Sequence, residues 1–199
     1  MGPENEKTLE RVERWFVVVL TFWAACAFVA AASGAISKVP RLVLGPLLLT
    51  ETIIPILIYY LSRTFRAYIA SIDLKHLTIF HLWRLLAGFT FVSYGMRHLL
   101  PETFVHNAGF GDILVGILVP VILILPNGIR KYIVFHVIGL LDFILALGTG
   151  ITLTASREPL IENLTTFPII MIPLLGVPVS GALHVMAIDV AMRKLRKRA

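Results

Sequence analysis

Apolar residues in this chain run on for long stretches, without the alternation of a half-buried strand or the one-sided stripe of a surface helix. Short clusters of charge, proline and glycine separate the runs. A helix needs roughly 20 apolar residues, at 1.5 Å rise each, to cross about 30 Å of hydrocarbon. Six stretches qualify: Trp15 to Ile36, Leu42 to Ser62, Leu77 to Leu99, Phe110 to Leu125, Tyr132 to Leu153 and Phe167 to Val190. The fourth is short and holds Pro120, which local thinning of the bilayer would accommodate. The pattern predicts an all-α integral membrane bundle of six transmembrane helices.

Composition agrees. Of 199 residues, 57% are hydrophobic and 15% charged, against roughly 45–50% and about 25% in ordinary soluble domains, and this excludes a soluble globular fold. Eighteen bases and 12 acids leave a net charge of +6. In so apolar a chain that excess speaks of membrane sidedness, not of nucleic acid. Lys7, Arg11, Arg14, Arg63, Arg66, Lys75, Arg130, Lys131, Arg193, Lys194, Arg196, Lys197 and Arg198 fall on the side of the termini, while Lys38, Arg41, Arg97 and Arg157 fall on the other. Positive charge collects on the cytoplasmic face, so both termini are expected to be cytoplasmic, with the protein multi-pass in a bacterial inner membrane. Ala30, Ala31 and Ala32 resemble a signal-cleavage region, but the acids in MGPENEKTLERVER and the length of the run argue for a retained span. The expected organisation is an amphipathic segment over 1–14, a transmembrane domain over 15–190, and a basic tail over 191–199 that meets anionic headgroups. The single cysteine, Cys26, rules out an internal disulfide, a thiolate zinc site and covalent c-type haem.

Two short patterns recur. FHLWRLL (Phe80 to Leu86) and FHVIGLL (Phe135 to Leu141) share F-H-x-x-x-L-L, and Val119-Pro120-Val121 is matched by Val177-Pro178-Val179. The spacing suits a duplicated helix hairpin, helices three and four against five and six, in parallel. The stretch from FHLWRLLAGF through LPETFVHNAGFGDILVGILVP to GLLDFILALGTG resembles a group of bacterial integral-membrane proteins with the patterns FHxxR, LPxxF, GxGDILVG and GLLD. That resemblance covers about the middle half of the chain. It implies a helical membrane protein and carries no activity or site residues with it.

Ionisable side chains at bilayer depth cost about 2.5–3.5 kcal/mol on insertion scales and usually mark function or pair with each other. The candidates are Glu51, His81, Arg84, Asp112, His136, Asp142 and His184. Counted from the inner helix ends, His81, His136 and His184 lie about 6, 8 and 9 Å deep. Three imidazoles at one level on three helices suit a transition metal or haem b, with a redox or electron-transfer role. Gly88, Gly139 and Gly181 would let a porphyrin approach, and Arg84 would meet a propionate. The same histidines would otherwise simply bond neighbouring helices, and Arg84 would pair with Asp142 or Glu51. A second reading is a small proton- or ion-coupled transporter or channel using Glu51, Arg84 and Asp142 around a polar cavity opened by Pro55, Pro120 and Pro178. A third is an accessory or assembly subunit associating with other membrane subunits or with itself.

LPETFVHNAGFGDI reads as a turn into a helix start, with Asp112 in the first turn favoured by the helix dipole. His98, His106 and Glu102 flank it as an exterior two-histidine, one-carboxylate set. The Asn163 sequon is taken as chance. No GxSxG, Walker A, Rossmann, HExxH or EF-hand motif occurs.

Overall fold

Within a bilayer every backbone N–H and C=O must be paired inside its own segment, so each apolar run becomes a helix. The computed structural model describes residues 3–126 and 128–197, and these form α1 (Pro3–Ala32), α2 (Arg41–Leu61), a short α3 (Arg63–Ser71), α4 (Leu74–Met96), α5 (Glu102–Ile124), α6 (Ile129–Ala155) and α7 (Ile172–Arg196). All but α3 are long and apolar enough to cross a membrane, and no strand occurs among the described residues. The charged N-terminal segment and the first span form one continuous helix. Residues 1–2 of the amphipathic segment and 198–199 of the basic tail lie outside the described residues.

The fourth span departs most from expectation. It starts at Glu102 and covers 23 residues, so it reaches across the bilayer without thinning. In LPETFVHNAGFGDI the chain breaks at Leu100 and Pro101, as expected, but from Glu102 on it is helix, widened to a π turn at Val105–Phe110 where a turn was expected. Its glycines serve close packing instead of chain reversal. A Cβ on Gly88 would lie 2.6 Å from the Gly109 carbonyl oxygen, and one on Gly116 would lie 2.6 Å from Leu85. Small residues thus bring the α4 and α5 backbones together. The last span also shifts: it begins at Ile172, not Phe167, opens with a π turn at Ile172–Gly176, and runs on to Arg196.

Burial is inverted relative to a soluble protein. Phe22, Val29, Leu86, Phe89, Leu141 and Ile144 are exposed along the helix sides, whereas His81, Arg84, Asp112, His136, Ser180 and His184 are buried. That is the arrangement expected where lipid is the solvent. Helix α7 is the axis, with 56% of its most apolar window buried against 11% for α1 and α2. Its small residues Ala182, Ala187 and Ala191 pack with Tyr59, Leu74 and Leu77 from α2 and α4. The matched histidines of the two F-H-x-x-x-L-L segments face each other on α4 and α6. The matched prolines occupy different places, Pro120 in the last turns of α5 and Pro178 just after the π turn of α7.

Candidate metal centre

The histidines reach one point from three directions. Asp73 caps α4 by accepting from the Lys75 amide at 2.9 Å, and two turns later the helix tightens to a 3-10 turn over Phe80–Leu82 that holds His81. His136 lies two turns into α6, and His184 enters from α7 opposite Gly139. Any Cβ at Gly139 would overlap the His184 ring, so that glycine makes the room the imidazole occupies. All three histidines are 0% exposed. His81 stacks on His184 with centroids 3.9 Å apart at 11°, and His136 meets them edge-on at 5.4 and 5.2 Å. One ligand nitrogen from each lies within 4.8 Å of the others.

The hydrogen bonds around the rings form one consistent chain. Arg84 Nη1 only donates, so His184 Nε2, 3.4 Å away, accepts. His184 Nδ1 then carries the proton and donates to His136 Nδ1 at 3.0 Å, leaving His136 Nε2 to donate to Thr78 Oγ1 at 3.3 Å. His81 stands apart: neither of its ring nitrogens has a partner, although the residue is fully buried. Buried polar atoms are almost always paired with protein, water or an ion.

Arg84 ties this cluster to two carboxylates. Its Nε donates to Asp112 Oδ1 at 2.5 Å, its Nη2 to Asp142 Oδ2, and its Nη1 reaches the Gly139 carbonyl at 3.4 Å. With both aspartates ionised, one positive charge faces two negative charges, and the site favours a further cation beside it. A net charge at this depth is otherwise expensive.

The structure thus brings together His81, His136, His184, Arg84 and Asp142, and adds Asp112 and Thr78. Asp112 does stand in the first turn of the α-helical stretch Gly111–Ile124, but that stretch continues a helix begun at Glu102, and the carboxylate is buried on Arg84. Glu51 is not a partner of Arg84. It lies on α2, engaged by the Trp23 side chain, with Oε2 buried and unpaired. His98, His106 and Glu102 form no ligand set among the described residues, and His106 turns instead to Asn107 at 3.4 Å. Gly88, Gly139 and Gly181 admit the α5 backbone, the His184 ring and the Phe143 ring respectively. The expected polar cavity is instead a mainly apolar one between α2, α4, α5, α6 and α7 that stops at Arg84 and Asp112. The pairing of Arg84 with Asp112 had a signal in the sequence, a single base and a second acid both at bilayer depth. Reading the glycines as a turn concealed it.

Comparison with curated proteins and with solved structures gives no match. One family does match, over residues 39–192, a range that takes in α2 to α6, nearly all of α7 and every residue of the histidine and arginine clusters. The chain belongs to that family, defined by a domain of unknown function, DUF8737.

Proposed function

We propose that this membrane protein binds one transition-metal ion of the zinc or copper class through His81, His136 and His184. The unpartnered ring nitrogens of His81, fully buried beside two other imidazoles, carry this reading. Neutral imidazole suits zinc, copper, nickel and iron, and three histidines leave a fourth position for another ligand. The Arg84, Asp112 and Asp142 cluster supplies the neighbouring negative charge. A single ion is favoured over haem b. His81 and His184 stack at 3.9 Å with no slot between them, and Arg84 already has two carboxylates where a propionate would have to sit. The bases at the termini and in the α2–α4 and α5–α6 connections support cytoplasmic termini.

The alternative is a proton- or ion-coupled transporter using the same residues. The chain from Arg84 through His184 and His136 to Thr78 favours it, because a proton already sits between two imidazoles.

Elemental analysis and an absorption spectrum of gently purified protein test both readings. The metal reading expects about one ion per chain and no Soret band. Ligation through both Nδ1 atoms would move the bridging proton to His184 Nε2, so that each ligand stays a neutral imidazole. Zinc added to stripped protein should therefore bind at about one ion per chain with little release of protons. Neither metal in the purified protein nor stoichiometric zinc uptake by the stripped protein would leave the proton-relay reading.

A further inference from the structure

A second site lies on the far side of Arg84 from the histidines. Between α2, α4, α5, α6 and α7 is a cavity open at one end. Leu48, Phe91, Phe143 and Leu147 form its walls. Polar groups mark only its two ends. At the floor are Arg84 and Asp112, paired with each other, and Trp83, whose Nε1 donates to Ser180 Oγ at 3.0 Å. At the mouth Arg41, at the start of α2, pairs with Glu162 of the turn over Pro159–Thr165, both half-exposed.

Shape and polarity together select the occupant. From Thr154 near the mouth to Phe143 near the floor is three turns of α6, about 16 Å at 1.5 Å per residue. That is half of the roughly 30 Å hydrocarbon core, the depth one acyl chain covers in its own leaflet. An apolar void of this kind does not hold water, and in a bilayer the apolar molecule at hand is lipid. At the floor Arg84 and Trp83 are already engaged with protein partners, so no charged group is free there to hold a head, and the buried end of the occupant is apolar. The mouth offers Arg41, held only by an exposed ion pair of the weak kind.

We propose that this cavity binds one acyl chain of an anionic amphiphile, its carboxylate or phosphate head replacing Glu162 on Arg41 and its methyl end directed at Trp83. The chain holds three tryptophans, so the Trp15→Phe, Trp23→Phe variant of the full-length protein reports on Trp83 alone. The probes are stearate brominated near its methyl end and a lysophosphatidylglycerol brominated at the same place, whose relative affinities distinguish a free fatty acid from a membrane phospholipid. Each should quench Trp83 saturably, and unlabelled palmitate should reverse it. Arg41→Gln should weaken binding at least fivefold, Glu162→Gln should leave it equal or tighter, and Ala146→Phe should abolish it. Should Ala146→Phe fail to fold, Gly150→Leu plugs the same wall, and competition by palmitate remains decisive. Quenching that rises linearly, resists palmitate and is equal in the plugged variant overturns the site. Saturable quenching indifferent to Arg41→Gln overturns the placement of the head.

Discussion

At the scale of single residues, His81 and His184 are chemically alike and energetically opposite. His81 has two buried nitrogens without partners, whereas His184 is bonded to both His136 and Arg84. Removing an unsatisfied polar group is nearly neutral, while orphaning the partners of a satisfied one costs about 1–3 kcal/mol. In metal-free protein His81→Leu should therefore leave the unfolding midpoint unchanged or raised, and His184→Leu should lower it, while both weaken zinc binding. Arg84→Gln leaves two buried carboxylates uncompensated and should cost about 3–5 kcal/mol, read as a lower midpoint in detergent. Gly139→Ala forces the His184 ring aside and should cost about 1–3 kcal/mol of overpacking, with a matching loss of zinc affinity. The shared depth of the three histidines was legible in the sequence because helix rise converts residue number directly into depth. Their rotation about each helix axis was not, and neither was the α4–α5 crossing at Gly88 and Gly109 that brings Asp112 onto Arg84.

At the scale of elements, hydropathy located all six spans and misjudged their ends, above all in α5. Glycine, asparagine and proline in LPETFVHNAGFGDI signal a turn in water. In a bilayer an open turn would leave backbone groups unpaired, so helix persists and the irregularity is absorbed as a π turn. The elements also differ in what they support. Helix α1 is only 11% buried over its most apolar window and lies outside the matched family region, whereas the site is carried by α4, α5, α6 and α7. Deletion of residues 1–35 should accordingly leave zinc stoichiometry unchanged in purified protein. Loss of metal binding on that deletion would assign α1 a part in the bundle that its burial does not show.

For the molecule as a whole, two sites share a wall. Arg84 forms the floor of the acyl cavity and also contacts His184, so occupancy of one site bears on the other through one side chain. Six crossings place both ends of the chain on one face, where most of the bases lie. Cysteines substituted at Glu162 and at Lys197 should react with a membrane-impermeant reagent from opposite sides of sealed vesicles. The central claim is that one ion is held by one imidazole from each of three helices. X-ray absorption at the zinc edge of the loaded protein tests this most directly. Three nitrogen scatterers of imidazole type are expected at about 2.0–2.1 Å, falling to two in His81→Leu. A nearest shell without imidazole, or one unchanged by His81→Leu, would contradict it.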